Sequence, residues 1–373
     1  YEADRRVEAQ ELLRAAADRL APSSPSAARA KVLQTLSWAC WHSFEFDRAA
    51  DTAEAAMAEA RAAGAADVYR WAVHESGIIA GFQGDPATGL ELLQESHDLA
   101  EEADDRDLLY RCYINLSSVQ LNSGYPLHQP SELLERATIM ARRSASYGTL
   151  TFVLDNYAGL SWLRGRFEDA VEQADEALDA ADRAGYHAME GTIHRVRADA
   201  LAALGRVDEA SAELAISVAR AAEDPQHADW LKVAVARSKV EEDPAAAVAV
   251  LRGPHPEFEG YANADMTVTL WLGRIAYRVG DQEALAEARA THQRLADFDS
   301  PGYTLERRWV RALIEDDAGA LVVVSEGFTV IGYALYACEA LIDAALMEAR
   351  RSSGGPLAGR AAAAVEALDY RPM

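Results

Sequence analysis

The apolar residues along this chain recur with the period of an α-helix. After Gly165 they share one face of one helix, at Phe167, Ala170, Val171, Ala174, Ala177, Leu178 and Ala181. After Gly185 they again follow one helical face, at Ile193, Val196, Ala200, Leu201 and Leu204. Between the breaks, no stretch alternates apolar and polar residues as a half-buried strand would. The pattern therefore predicts an all-α protein.

Short breaks divide these helices at nearly constant spacing. Nine of them recur every 36–41 residues, at Phe44-Glu45-Phe46, Gly84-Asp85-Pro86, Gly124-Tyr125-Pro126, Gly165-Arg166-Phe167, Gly205-Arg206-Val207, Glu242-Asp243-Pro244, Gly280-Asp281, Asp316-Asp317 and Gly354-Gly355. A second set lies between them, at Gly64, Asp104-Asp105, Ser146-Tyr147-Gly148, Gly185 and Asp224-Pro225. Glycine supplies the left-handed backbone that ends a helix. The two sets predict nine helical hairpins and the turns that join them.

A single hairpin cannot bury its apolar face, whereas stacked hairpins can. The chain has 373 residues, which is longer than the roughly 250–300 residues at which one hydrophobic core stops growing. We therefore predict a right-handed superhelical solenoid of about nine hairpins. An ordinary helical bundle is the alternative, but a bundle does not require turns at constant spacing.

One segment interrupts the regular spacing more than the others. Residues 253–260 read Gly-Pro-His-Pro-Glu-Phe-Glu-Gly and follow a short helix predicted from about Pro244 to Arg252. We interpret 253–260 as a hinge between a sub-solenoid of residues 1–252 and a second one of residues 261–373. A longer connection without a hinge is the alternative. At the other end, residues 3–20 are predicted to be one helix, the second helix of an earlier, truncated hairpin.

The fourth and fifth hairpins carry residues of a recurring type at their turns and at the positions where their paired helices pack. The fourth hairpin carries Asn156-Tyr157-Ala158, Gly165-Arg166-Phe167, Ala170, Ala177 and Leu178. The fifth carries Ala198, Gly205-Arg206-Val207 and Ala210. In these positions the chain resembles tetratricopeptide repeats. Its spacing of about 40 residues exceeds the usual 34, so the resemblance implies longer helices than in the standard repeat.

A second resemblance rests on three stretches, Arg111 to Ser118, Ala318 to Leu321 and Gly332 to Ala340. Long, Ala-rich repeats with such stretches resemble the carboxyl-terminal sensor arm of the large ATP-binding, MalT-like, LuxR-type regulators of actinobacteria. In that family an ATPase module precedes the arm and a helix-turn-helix DNA reader follows it. The sequence contains no Gly-x-x-x-x-Gly-Lys-[Ser/Thr] phosphate loop. The resemblance therefore implies a sensor segment. The same kind of arm occurs fused to nucleotide cyclases and protein kinases.

The charge balance excludes several classes of partner. The chain has 36 Lys and Arg against 60 Asp and Glu, a formal net charge of −24. A surface this acidic repels phosphate backbones and anionic lipids, so we expect no nucleic-acid and no membrane contact. The sparse, odd set of Cys40, Cys112 and Cys338 implies no disulfide framework, and we expect a reducing, cytoplasmic setting.

No residue pattern in the chain points to catalysis. His187, Glu190 and His194 fall on one helical face and could each offer a metal ligand. A solvated polar stripe is the interpretation we favour, because a structural zinc site needs a closed set of four ligands. No nucleophile signature such as Gly-x-Ser-x-Gly is present. We expect a non-enzyme without a metal or cofactor.

The first helix of each hairpin lines the concave surface of a tetratricopeptide superhelix. The resemblance therefore implies that a groove collects aromatic and charged side chains from these helices. The candidate binding residues are Lys31, Gln34, Trp38, Trp41, His42, Trp71, His74, Arg111, Asp155, Trp162, Arg195 and Asp199. Aromatic anchors with a few orienting polar groups suit a peptide ligand. The alternative is that these tryptophans pack between hairpins, as we expect for Trp230, Trp271 and Trp309.

Our leading hypothesis is a ligand- or partner-binding sensor domain of a multidomain bacterial signalling protein, most readily a transcriptional regulator. A protein or peptide, or else a small-molecule effector, would occupy the groove, and the exposed terminal face could pair two copies. The second hypothesis is a stand-alone adaptor or assembly scaffold that binds a protein partner. An enzyme built on a helical array is the third hypothesis, and no visible site supports it.

Overall fold

The computed structural model describes residues 3–20, 24–43, 45–220, 228–252, 262–294, 300–351 and 355–371. These residues form helices and connecting turns, without a strand among them. The first nine helices are α1 Ala3–Arg19, α2 Ala27–Trp41, α3 Phe46–Ala63, α4 Ala66–Phe82, α5 Pro86–Glu102, α6 Arg106–Asn122, α7 His128–Ser144, α8 Tyr147–Leu163 and α9 Phe167–Ala184. The other ten are α10 Glu190–Ala203, α11 Val207–Arg220, α12 Ala228–Lys239, α13 Pro244–Arg252, α14 Ala262–Val279, α15 Gln282–Arg294, α16 Pro301–Glu315, α17 Ala318–Ile331, α18 Ala334–Arg351 and α19 Pro356–Ala367.

The predicted all-α solenoid is confirmed, and the predicted breaks within the described residues fall at junctions between consecutive helices. Phe44, Asp224-Pro225 and Gly354 lie outside the described residues. Gly165 and Gly205 end their helices with φ of +72° and +76°, a conformation that favours glycine. At the start of α5, Asp85 accepts a hydrogen bond from the Thr88 backbone N–H, and Pro86 occupies the first turn. The turn at Gly332, with φ of +87°, had not been predicted as a break.

The chain divides into two compact units. Unit 1 contains α1 to α5 and α6 as far as Val119, and unit 2 begins at Gln120, within α6. The candidate hinge at 253–260 lies outside the described residues, so the division into 1–252 and 261–373 stays a prediction. The helix predicted over 3–20 is α1, which packs on α2 within unit 1.

Alanine forms much of the contact surface between paired helices. In α9 the side chains of Ala170, Ala174, Ala177 and Ala181 are fully buried, and α9 packs against both α8 and α10. The small side chain lets the backbones approach, and alanine loses no rotamer entropy in a helix. The alanine-rich composition is therefore the means by which the hairpins stack.

Unit 2 closes on itself, because its last helices return to its first ones. Helix α18 packs against α8. The backbone N–H of Leu127 donates to the carbonyl of Ile331 at 2.9 Å, and the Tyr333 hydroxyl donates to the Leu121 carbonyl at 3.1 Å. After α19, the Arg371 N–H donates to the Ala203 carbonyl at 2.7 Å. The inner helices of unit 2 therefore face one another.

A close contact between two glycines belongs to this closure. A Cβ on Gly302 would lie 2.5 Å from the Cα of Gly124, which itself has φ of +68°. We expect Gly302→Ala to lower the free energy of unfolding by about 1–3 kcal/mol, since backbone must move to admit the methyl group. Gly359→Ala is the matched control, because a Cβ there meets open space. Urea denaturation compares the two, and equal stability of both variants would contradict the prediction.

None of the described helices combines the length and the apolar character that crossing a bilayer requires. The three cysteines are unpaired and buried.

Candidate ligand-binding face

One surface of unit 1 collects aromatic and polar side chains from the first helices of three successive hairpins. We name it the α2–α4–α6 face and define it by Lys31, Gln34 and Trp38 of α2 with His42 directly after it, Trp71, His74 and Glu75 of α4, and Arg111 and Asn115 of α6. Helices α2 and α4 pack directly against each other. Spacings of three, four or seven residues place each helix's contributors on one side of that helix.

An arginine between two tryptophans marks the centre of this face. The Arg111 guanidinium lies 5.9 Å from the Trp38 ring centroid and 5.5 Å from the Trp71 centroid. These distances are within the range of a cation–π contact. Both indoles are half-buried, and Arg111 is exposed. Within the described part of the chain, Arg111 forms no ion pair, so its N–H donors face solvent without a carboxylate.

Neighbouring side chains hold both indoles in place. The His42 ring meets Trp38 edge-on, with centroids 4.4 Å apart. His74 meets Trp71 in the same manner at 6.1 Å. Trp71 also packs against the buried side chains of Leu108 and Cys112. The two aromatic surfaces are therefore positioned before any ligand arrives, which lowers the ordering cost of binding.

A polar chain runs from the surface into the interior at one side of the face. Lys31 Nζ donates to Gln34 Oε1 at 2.6 Å, and Gln34 Nε2 donates to Glu75 Oε1. Glu75 is only 4% exposed. Its other oxygen, Oε2, has no hydrogen-bond partner among the described residues. Burial raises the pKa of Glu75 to about 8, against the smaller lowering effects of Gln34, Lys31 and Arg111. Glu75 is therefore uncharged at neutral pH.

His74 is also uncharged. It is 1% exposed, and burial, together with the nearby charge of Arg111, lowers its pKa to about 3. Asn115 Nδ2 donates to His74 Nε2 at 3.1 Å, which fits a neutral imidazole whose Nε2 accepts. The two buried titratable groups of the α2–α4–α6 face, Glu75 and His74, are therefore uncharged at pH 7, whereas Lys31 and Arg111 are cationic.

The burial of Glu75 has a consequence for stability. Glu75 ionises near pH 4.5 when unfolded and near pH 8 when folded, so wild-type stability falls as the pH rises between these values. We expect the stability of Glu75→Gln relative to wild type to increase across this window, by an amount on the order of 5 kcal/mol at its upper end. Urea denaturation of both proteins near pH 4.5 and above pH 8 measures the difference. A difference that does not change with pH would contradict a buried, protonated Glu75.

Trp41 lies in the core of unit 1. Its indole is 5% exposed and packs against Phe46 at 5.2 Å and Phe82 at 5.8 Å between centroids. Trp38 and Trp41 lie on adjacent turns of α2. The helical periodicity of the sequence does not show that Trp41 is the core residue and Trp38 the surface one.

The candidate residues from unit 2 lie in its interior. Asp155, Trp162 and Asp199 are each 7–8% exposed. Arg195 forms an ion pair with Asp199 at 3.1 Å and lies over the Trp230 ring at 5.8 Å from its centroid. The Asp199 carboxylate also accepts from Arg237 at 2.9 Å. The two arginine cations therefore neutralise the buried Asp199 carboxylate.

Arginines and tryptophans alternate through the interior of unit 2. Arg237 lies 5.3 Å from the Trp162 centroid and 4.8 Å from that of Trp271. Arg274 follows at 4.3 Å from Trp271 and 4.7 Å from Trp309. Trp271 and Trp309 are buried, in agreement with their expected core positions, and Trp230 is half-buried. Closure of unit 2 converts what would be a groove lining into a core.

Two acids of α18 neutralise this arginine series. Arg274 Nε donates to Asp343 Oδ2 at 2.7 Å and Nη2 donates to Glu339. The Trp309 indole N–H donates to Asp343 at 3.0 Å, and the Tyr370 hydroxyl donates to Glu339. Burial alone would raise the pKa of Glu339, but these cations and hydrogen bonds lower it to about 2. Sequence reasoning missed Arg237, Arg274, Glu339 and Asp343. The sequence could have indicated them, because they are charged residues on the otherwise apolar first helices of their hairpins.

The three residues considered as metal ligands, His187, Glu190 and His194, do not form one cluster in the structure. His187 Nδ1 lies 2.5 Å from Glu190 Oε1, whereas His194 Nδ1 lies 2.6 Å from Glu213. Asp182 joins His187 and Glu190 instead, with ligand atoms within 4.8 Å of one another. Glu190 already pairs with Arg220 at 2.5 Å. Ion pairing and hydrogen bonding therefore account for this cluster.

Comparison with known proteins identifies a fold. No protein-family model matches the chain, and no curated protein matches it. A solved structure of a Rap protein complexed with Competence and Sporulation Factor is similar, with a TM-score of 0.68 and 14% sequence identity over 91% of this chain and 98% of that chain. A circular tandem repeat protein with novel repeat topology, 14% identical over 97% of this chain and 94% of its own, has a TM-score of only 0.19. The chain is thus an all-α helical-repeat protein similar in fold to Rap.

Proposed function

We propose that this chain is a non-catalytic, peptide-binding helical-repeat domain and that it binds its ligand on the α2–α4–α6 face. The observation that carries the proposal is Arg111, exposed between two positioned indoles. Aromatic anchors surrounded by a few fixed polar groups are the common composition of peptide and ligand sites. The Rap structure, which holds a bound factor, supports a ligand-binding use of the same fold.

The contrast between the two units favours this location. In unit 2 the inner arginines pair with buried acids, and the inner tryptophans are covered. In unit 1 the inner arginine has no carboxylate among the described residues, and its tryptophans remain half-exposed. A ligand can exchange water for protein contacts on the second kind of surface without breaking an existing ion pair.

We further propose that the domain serves as a sensor in a bacterial signalling protein, most readily a transcriptional regulator. This part rests on the resemblance of Arg111 to Ser118 and of Gly332 to Ala340 to the sensor arm of MalT-like, LuxR-type regulators. In such a scheme the ligand must bind one conformation of the domain more tightly than another. The sequence of the whole parent protein tests it, since the absence of both an ATPase and a DNA-reading domain would remove the support.

Selection of peptides tests the binding proposal. A library of random peptides of about eight residues is enriched on the full chain, and the enriched peptides are then titrated against variants. We expect the double variant Trp38→Leu, Trp71→Leu to lose binding. Trp230→Leu is the matched control, because it also removes a half-buried tryptophan that contacts an arginine. No enrichment on the wild type, or equal affinity for the double variant, would refute the proposal.

A further inference from the structure

Among the described residues, each arginine that stacks on a tryptophan also pairs with a carboxylate, with one exception. Arg195, Arg237 and Arg274 each lie over a tryptophan and also pair with a carboxylate, Asp199 for the first two and Asp343 for the third. Arg111 lies over two tryptophans and pairs with none. Arg111 therefore has the same contacts with tryptophan as the other three arginines but lacks their carboxylate.

We infer that the ligand of the α2–α4–α6 face is a peptide that supplies this carboxylate, with the Arg111 guanidinium receiving it and the flanking indoles of Trp38 and Trp71 covering the adjacent apolar side chain. The inference rests on the proposed peptide-binding function and adds the chemical class of the ligand. A guanidinium presents paired N–H donors that match the two oxygens of a carboxylate.

The local charge favours an anion despite the acidity of the whole chain. The formal net charge is −24, so long-range repulsion disfavours anionic ligands over most of the surface. On the α2–α4–α6 face, Lys31 and Arg111 are cationic, and the acid bonded into its polar chain, Glu75, is protonated by burial. Its Oε2 is itself buried and lacks a hydrogen-bond partner among the described residues. The polar chain therefore adds no negative charge beside Arg111.

Two kinds of carboxylate fit Arg111, the C-terminus of a peptide and an aspartate or glutamate side chain. A peptide is favoured over a small anion because the face also offers two half-exposed indoles and the His42 ring beside Arg111. A small anion would leave these groups without contact. An extended peptide spans them and buries apolar area beside the charge.

The test uses peptides enriched on the full chain, each synthesised in three forms. These are the free acid, the C-terminal amide, and a form in which Gln and Asn replace Glu and Asp. Affinities are measured by isothermal titration for wild type, Arg111→Gln and the control Arg61→Gln. Arg61 also lies over an aromatic ring in unit 1, that of Tyr69 at 4.9 Å, and away from the α2–α4–α6 face. Circular dichroism checks that both variants fold.

We expect Arg111→Gln to weaken binding of the free acid by about tenfold to a hundredfold, as loss of a charge-assisted hydrogen-bonded pair does, and Arg61→Gln to leave it unchanged. If the amide form loses affinity, the carboxylate that binds Arg111 is the C-terminus of the peptide. If the form with Gln and Asn loses affinity, the carboxylate is an aspartate or glutamate side chain. Equal affinity of all three forms, or of wild type and Arg111→Gln, overturns the inference. If the inference is overturned but the double variant Trp38→Leu, Trp71→Leu still abolishes binding, the proposed peptide-binding function stands without the inferred carboxylate contact. Absence of any enriched peptide overturns both.

Discussion

Arg274→Met is expected to lower the free energy of unfolding of unit 2 by about 3–5 kcal/mol. Arg274 is 1% exposed and lies between the rings of Trp271 and Trp309. Its guanidinium is held by Asp343 and Glu339, which are equally buried. Methionine fills much of the volume but leaves two acids facing each other without their main cation. The cost arises from these stranded charges more than from lost contact area.

Controls separate charge from packing. Arg350→Met removes an exposed arginine that lies over Tyr277 at 4.6 Å, and we expect a loss of at most about 1 kcal/mol. The triple variant Arg274→Met, Glu339→Gln, Asp343→Asn removes the stranded charges, and we expect it to regain most of the lost stability. Urea denaturation gives the totals, and native-state hydrogen exchange assigns the loss to unit 2. A triple variant no more stable than Arg274→Met would contradict the account.

Trp309→Ala is expected to cost unit 2 about 3–5 kcal/mol as well. The indole is fully buried and lies 5.8 Å from Phe328 and 6.1 Å from Tyr336 between centroids. Its N–H donates to Asp343, so truncation also removes a hydrogen bond from the charge network. The large cavity that alanine leaves would be lined by aromatic rings from α17 and α18, which are held by their own packing.

The matched substitution in unit 1 is expected to behave in the opposite way. Trp38 is half-buried and contacts His42 and Arg111 at the surface. Trp38→Ala should therefore cost clearly less stability than Trp309→Ala and should remove peptide binding, which Trp309→Ala leaves intact wherever unit 1 stays folded. Urea denaturation and titration of one enriched peptide compare the two variants. Equal stability losses would mean that the two tryptophans have the same structural role.

The repeat and its helices could be predicted because they depend on local patterns. The 3.6-residue period marks the buried face of α9, and glycines such as Gly165 and Gly205 mark the ends of helices. Each of these features lies within one hairpin. The turn at Gly332 escaped prediction because α17 is strongly apolar and α18 opens with the apolar run Ala334 to Cys338, so the pattern shows no polar interval there.

The closure of unit 2 could not be predicted, because it depends on contacts between distant parts of the chain. Trp162 of α8 meets Tyr336 of α18, with ring centroids 6.4 Å apart. Periodicity identifies the inner face of a helix but does not tell whether that face meets water or another turn of the superhelix. The same limit applies to Asp199, whose partner Arg237 lies on another helix. Trp71 and Arg111 lie one repeat spacing of 40 residues apart, whereas Trp38 lies about two turns further along its own helix. The repeat register therefore places all three residues on first helices but does not predict that they meet.

The most direct test of the account is a crystal structure of the full chain with an enriched peptide bound. The account predicts that the peptide crosses α2, α4 and α6, with an apolar side chain between Trp38 and Trp71 and a carboxylate on the Arg111 guanidinium. A peptide bound elsewhere, on unit 2 or on the outer helices α3 and α5, with Arg111 still facing solvent, would contradict it.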